Sequence, residues 1–289
     1  MTGRIIQGIG GFYTVSSGGN EFVCKARGRF RKEKISPLVG DLVEFSPGAE
    51  GDEGSIEAIL PRKNVLERPA VANLDLLLVT LACCHPQPDL LLADRLLVRA
   101  RRAGMEVAVV FNKSDLGDAQ AYARQYALSG LQTAMVSAAT GEGRERLSSL
   151  TKDKVVGFAG QSAVGKSSLI NLLCPKAQLE TGDLSRIERG RHTTRRAQLL
   201  QLPEGGYLMD TPGFSLLELD TFDPEELKGL YPEFRPYEAN CRFLGCNHVG
   251  EPSCAVREAA EQGLLSLERL DRYTALFAEL KEKWGRRYG

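Results

Sequence analysis

The run Gly160-Gln161-Ser162-Ala163-Val164-Gly165-Lys166-Ser167-Ser168 has the composition and spacing of a loop that holds phosphate. Two glycines with four residues between them let backbone N–H groups turn inward around phosphate oxygens, and a helix beginning just beyond adds partial positive charge. Lys166 then reaches the terminal phosphates, and the Ser167 hydroxyl is a ligand for the Mg²⁺ that accompanies a nucleotide. The surroundings have the required form. An apolar strand pattern over residues 154–159 enters the loop, and Leu169, Ile170, Leu172 and Leu173 recur at helical spacing after it.

A second set of polar residues, Asn112-Lys113-Ser114-Asp115, follows the apolar run Glu106–Phe111, at the strand end where open α/β sheets bind ligands. A carboxylate at Asp115 can accept from both N1–H and the exocyclic amine of guanine, a donor pair that adenine lacks. Asn112 would fix neighbouring loops and the base, and the Lys113 stem would cover the ring. Alone, the tetrapeptide could equally be a helix N-cap. Its weight comes from the next turn, Ser137-Ala138-Ala139, whose backbone can meet the guanine O6.

Beyond the phosphate loop, residues 182–196 are poor in apolar residues and carry Arg186, Arg189, Arg191, His192, Thr193, Thr194, Arg195 and Arg196. They read as a switch loop in which Thr193 or Thr194 completes the shell of Mg²⁺ and γ-phosphate. A hairpin then delivers Asp210-Thr211-Pro212-Gly213-Phe214, where Asp210 would bind Mg²⁺ through water and the Gly213 N–H would sense the γ-phosphate. Phe214 stands where a water-orienting glutamine is common, so slow intrinsic hydrolysis is expected.

Cys241, Cys246, His248 and Cys254 place three thiols and one imidazole within fourteen residues. Soft-to-borderline donors without a carboxylate suit tetrahedral Zn²⁺, and four protein ligands leave no open position, so one structural ion is expected. The remaining cysteines are scattered, which fits a reducing, cytoplasmic home.

These residues need elements to position them. The 289 residues carry 37 Lys plus Arg and 37 Asp plus Glu, so no global field selects a nucleic acid or a membrane, and local patches must do so. No apolar run is long enough to span a bilayer or to act as a secretory signal. Short alternating runs up to residue 60 suggest a five-stranded OB-fold β-barrel. Between its third and fourth strands Lys25, Arg27, Arg29, Arg31, Lys32 and Lys34 surround Phe30, a pattern suited to RNA. The continuous apolar run Leu74–Ala82 begins an α/β domain, with helices over 89–103, 118–129 and 143–150 and a strand over Gln132–Val136. Residues 255–288 read as helices with Leu264, Leu267, Leu270, Tyr273, Leu276, Phe277, Leu280 and Trp284 inward, and with Arg269, Arg272, Lys281, Lys283, Arg286 and Arg287 outward. The expected architecture is multi-domain α/β: an OB barrel over 1–68, a P-loop GTPase domain with a Rossmann-like three-layer α/β fold over 69–222, and a zinc-binding helical domain over 223–289.

The base motif precedes the phosphate loop, the reverse of the usual order. A pocket is spatial, so joining the old ends and cutting elsewhere preserves it. On these motifs, with Gly190-Arg191-His192-Thr193-Thr194 and the Cys/His cluster, nearly the whole chain resembles the circularly permuted, small ribosomal subunit-dependent GTPases of the RsgA (YjeQ) family. The resemblance implies GTP hydrolysis stimulated by the 30S subunit, a late assembly or checkpoint role on 16S rRNA, and His192 as the group that orients water. It is expected to act as a monomer, with no membrane partner. Arg195 replaces a third threonine common in that family, leaving Thr193 or Thr194 as the metal threonine. Two other classes are an ATP-using phosphotransferase, against which Asn112–Asp115 speaks, and a non-catalytic RNA-binding protein that merely keeps nucleotide bound.

Overall fold

Five strands of alternating burial close into a barrel: β1 (Thr2–Ile9), β2 (Phe12–Ser17), β3 (Asn20–Ala26), β4 (Leu42–Ser46) and β5 (Gly54–Ile59). The structure, a computed structural model, describes residues 1–28, 30, 35–49, 52–67, 69–177, 197–210 and 221–288, and no side chain at 176, 287 or 288. Around the barrel the order is β1-β2-β3-β5-β4 and back to β1, with β3 and β5 parallel and the other pairs antiparallel. Ile5, Val15, Cys24, Val43, Phe45 and Ile56 point inward and are fully or almost fully buried. Phe30 packs with them, so its ring belongs to the core and is unavailable for stacking on a base. Burying that aromatic ring removes apolar area from water.

A small hairpin, β6 (Val65–Glu67) and β7 (Ala70–Ala72), follows. The central sheet then runs β10 (Gln132–Val136), β9 (Glu106–Asn112), β8 (Leu76–Ala82), β11 (Val155–Ala159), β13 (Tyr207–Asp210), β12 (Gln198–Gln201). All are parallel except β12, which pairs antiparallel with β13. Every residue of β8 and β11 is buried, as strands covered on both faces require. Leu77, Val79 and Leu81 meet α1 (Leu90–Arg102) and α2 (Gln120–Ala127) on one face. Leu76 and Leu78 meet α3 (Arg144–Thr151) and α4 (Lys166–Leu173) on the other. Three layers result, and β12 continues the sheet into the barrel through its pairing with β1.

The C-terminal part consists of short 3-10 turns (Pro224–Leu230 and Pro232–Phe234), α5 (Arg235–Glu238), α6 (Ala255–Glu261) and α7 (Leu267–Tyr288) around Tyr231, Phe234, Tyr273 and Leu276. Leu270, Tyr273, Leu276, Phe277 and Leu280 face inward as the spacing predicts, but Leu264 and Leu267 are exposed. Arg269 reverses the expectation most sharply: it is 3% exposed, and neither it nor Arg272 is free for RNA phosphates. Asp94 on α1 accepts from the Arg269 guanidinium and, at 2.5 Å, from Arg272 Nε, while Glu233 accepts from Arg269 Nε at 2.8 Å. Burial alone would lower the pKa of Arg269, but the two carboxylates outweigh it and raise it. Among the described residues, no helix is long and apolar enough to cross a membrane.

Candidate nucleotide site and metal centre

At the C-terminal ends of β8, β9 and β11 the loops converge. Gly160 leaves β11 at φ 144°, where a Cβ would stand 2.1 Å from the Thr80 carbonyl oxygen of the neighbouring strand. Gly165, at φ 92°, precedes the first residue of α4, and a Cβ there would stand 2.3 Å from Nδ2 of Asn112. Both glycines are therefore fixed by sterics as well as by their left-handed backbone. Ser162 and Ala163 are exposed at the tip and Val164 is buried. Lys166, Ser167 and Ser168 are half-buried on the first turn of α4. Lys166 Nζ donates to the carbonyls of Gly160 (2.9 Å) and Gln161 (2.5 Å). Burial lowers the Lys166 pKa to about 8.

Asn112 is the joint of the site. It is 2% exposed; its Nδ2 donates to Val164 O at 2.8 Å, and its Oδ1 accepts from the Ala138 N–H at 3.1 Å. One amide thus links the phosphate loop to the Ser137-Ala138 turn. Lys113 has φ 65°, and its stem carries Nζ to His85 O at 2.5 Å, across the loop between β8 and α1. Ser114 N–H donates to Val136 O at 3.2 Å, tying the motif to β10, and Asp115 is exposed beyond it. Ser137 is buried; its hydroxyl accepts from the Thr140 N–H at 3.1 Å and its own N–H donates to Glu142 O at 3.0 Å.

Asp210 ends β13 and accepts from Gln198 Nε2 at 3.3 Å. His192, Thr193, Thr194 and Gly213 lie outside the described residues. So do Arg29, Arg31, Lys32 and Lys34. Of the basic run, Lys25 and Arg27 are exposed on the barrel but paired with Glu53 (2.5 Å) and Glu57 (2.8 Å). Gln161 of the phosphate loop makes a contact that the sequence does not signal: its Oε1 accepts from the Asp89 N–H at 3.2 Å and so ties the loop to the start of α1. A lone Gln or Asp carries no sequence signal for such a contact.

The Cys/His cluster is assembled. One donor atom from each of Cys241, Cys246, His248 and Cys254 lies within 4.8 Å of the others. His248 Nδ1 is 3.4 Å from Cys254 Sγ and 3.7 Å from Cys241 Sγ. Its Nε2 points away and makes no hydrogen bond among the described residues, but Glu238 Oε1 lies 3.5 Å from it, on the side where metal-ligating histidines meet a carboxylate. Glu251 holds the turn by accepting from the N–H groups of Asn247 (2.8 Å) and Val249 (2.9 Å). Burial pushes the Cys246 thiol up to about 12, which a bound cation would reverse by stabilising the thiolate. These residues fit a metal ion.

A Gly160–Ser168 loop joined through Asn112 to the Ser137-Ala138 turn, with Asn112–Asp115 earlier in the chain than that loop, is the arrangement of a circularly permuted GTP-hydrolysing domain, here beside a barrel and a Cys/His module. The chain belongs to the RsgA GTPase family. The RsgA GTPase model matches residues 59–220 and the RsgA N-terminal domain model residues 2–56. It is 46% identical to the small ribosomal subunit biogenesis GTPase RsgA of Caldanaerobacter subterraneus, over 100% of this chain and 98% of the relative. Among solved structures, YjeQ from Thermotoga maritima is similar at 37% identity and TM-score 0.81, over 96% of this chain and 98% of that one. YloQ, described as a circularly permuted GTPase, is similar at 33% identity and TM-score 0.82, over 98% of this chain and 95% of that one.

Proposed function

We propose that this protein is a cytoplasmic, monomeric GTPase that hydrolyses GTP slowly alone and faster on the small (30S) ribosomal subunit, as a late assembly or checkpoint factor. The units are 1–68, an RNA-binding OB barrel; 69–222, the GTPase domain; and 223–289, the zinc module. The observation that carries the reading is the Asn112 amide, which holds the Val164 carbonyl and the Ala138 N–H at once. Base and phosphate readers then serve one nucleotide.

Asn112, Lys113, Ser114, Asp115, Ser137 and Ala138 hold guanine, and residues 160–168 hold the phosphates of GTP or GDP. Ser167, Thr193 or Thr194, and Asp210 through water would hold Mg²⁺, which neutralises charge on the transferring phosphoryl group. Lys166 and the Gly213 N–H stabilise the γ-phosphate, and His192 orients the attacking water. Zn²⁺ suits the Cys/His cluster, because bonds of about 2.3 Å to sulfur in a tetrahedron give edges of roughly 3.8 Å, comparable to the observed spacing. Its role is structural. Contact with 16S rRNA is assigned to the barrel, through Lys25, Arg27, Arg29, Arg31, Lys32 and Lys34, and to the zinc module.

GTP hydrolysis with and without purified 30S particles, at varied salt, tests this reading. Stimulated phosphate release that disappears in Lys166→Ala or Ser167→Ala supports it; equal displacement of GTP by ATP, or no stimulation, refutes it. His192→Ala is expected to lose the stimulated turnover, and unchanged turnover removes that residue from the mechanism.

A further inference from the structure

We infer that Gln7 of the barrel and Gln198 form a polarised hydrogen-bond relay that positions Asp210, making the barrel's first strand part of the GTPase metal site's support. Gln7 Nε2 donates to Gln198 Oε1 at 3.3 Å, and Gln198 Nε2 donates to Asp210 Oδ2 at 3.3 Å. The order of donors matters. Because Gln7 supplies a donor, the Gln198 amide is turned with its oxygen toward the barrel and its NH₂ toward the carboxylate.

Backbone pairing fixes both ends of this relay. Gln7 is the residue of β1 paired with Gln198 of β12, and Gln198 is in turn paired with Asp210 of β13. The three side chains are therefore cross-strand neighbours on a continuous sheet, where opposed residues sit close enough to bond. The register of β1 against β2 shifts between Ile5 and Gln7, an irregularity that re-aims a side chain. Two further contacts hold the same hairpin against the barrel. Tyr207 Oη donates to Ser16 Oγ at 3.1 Å, and the Arg4 guanidinium lies over the Tyr207 ring at 5.8 Å. All three relay residues are half-buried, so their hydrogen bonds are partly shielded from water without being locked.

The consequence is a positioning role. Asp210 is offered to Mg²⁺ with one oxygen held by an amide whose orientation is set from another domain, so a ligand that shifts β1 changes the metal site directly. The inference rests on the proposed role of Asp210 in holding Mg²⁺ through water.

The test is the Mg²⁺ concentration giving half-maximal GTP hydrolysis on the full chain, with the half-maximal Mg²⁺ concentration for binding to the GDP-loaded chain, by calorimetry, as the readout without turnover. Gln7→Ala removes the donor and is expected to raise that concentration about threefold, the effect of losing one modest hydrogen bond. Gln7→Glu is expected to raise it about tenfold, because a carboxylate accepts from Gln198 Nε2 and turns the amide oxygen toward Asp210. A merely structural contact predicts the opposite order, since Glu is the closer isostere. Gln7→Ala equal to or worse than Gln7→Glu at matched melting temperature, or no change in either, overturns the relay. Asp210→Asn separates the two layers. If it raises the Mg²⁺ requirement while the Gln7 variants do not, the relay fails and the metal site stands; if it leaves the requirement unchanged, the metal site and the relay both fail.

Discussion

The GTPase domain meets its two neighbours through chemically different joints. Toward the barrel the sheet edge offers Gln198 to Gln7 and Tyr207 to Ser16 and Arg4, side chains that are partly exposed, while Asn73 is buried against the Gly40 carbonyl. Toward the C-terminal part it offers α1, whose Asp94 is fully buried between Arg269 and Arg272, with Arg101 Nη1 donating to Leu230 O at 2.7 Å. Arg102 lies over the Phe222 ring at 4.4 Å beside them. Neutral bonds near water contribute about 1 kcal/mol each and exchange readily with solvent. Buried charges tolerate no such exchange, because a member left alone keeps its desolvation cost. The carboxylate cluster of the C-terminal joint therefore fixes a geometry, whereas the side-chain contacts at the strand edge can adjust.

The largest effect that sharpens this contrast concerns the module behind the rigid joint. Cys254→Ser, or stripping the metal with a chelator, is expected to collapse the packing of Tyr231, Phe234 and Tyr273, since such sites contribute on the order of 10 kcal/mol to folding. Near-UV circular dichroism reads the loss, and an unchanged spectrum would assign the module's rigidity to the ionic cluster instead. Next, Asp94→Ala leaves two guanidinium groups without their shared carboxylate and is expected to cost about 3–5 kcal/mol in denaturant unfolding. Gln7→Ala, at the other joint, is expected to cost less than about 1 kcal/mol. Equal costs would erase the distinction between the joints.

Within the central domain, Asn112→Ala frees both the Val164 carbonyl and the Ala138 N–H and is expected to weaken GTP binding about thirtyfold by calorimetry. The pH dependence is smaller and has a definite sign. Phosphate favours the charged form of Lys166, so nucleotide affinity is level below its pKa of about 8 and falls at most tenfold per unit above it. Lys166→Ala should flatten the profile between pH 7.5 and about 8.5. Without nucleotide the sign reverses: an unfolded Lys166 retains its proton up to 10.5, so its contribution to stability rises with pH through the window from about 8 to 10.5.

Much of the architecture was legible from residue patterns. Strand Gln132–Val136 falls where alternation and flanking turns put it, and α1 occupies Leu90–Arg102 within the expected 89–103. The β6–β7 hairpin was missed because three-residue strands carry too little periodicity to register. Arg269 and Phe30 were misread for a common reason. A charge on a helix looks outward and an aromatic among basic residues looks exposed, until a partner from elsewhere in the chain, Asp94 in one case and the barrel core in the other, buries it.

The sequence by itself determined the residue types and their spacing: a loop with the glycines and lysine that suit phosphate, a tetrapeptide ending in a carboxylate, and four side chains that suit a metal ion. Those properties depend on residue type and short spacing, and local backbone rules enforce them. Only the tertiary structure decided which distant groups share an environment: Asn112 with Val164, Asp94 with Arg269, Gln7 with Gln198 and Asp210. Such pairs are separated by up to 191 positions, and what joins them is sheet order and helix packing, which no local pattern encodes.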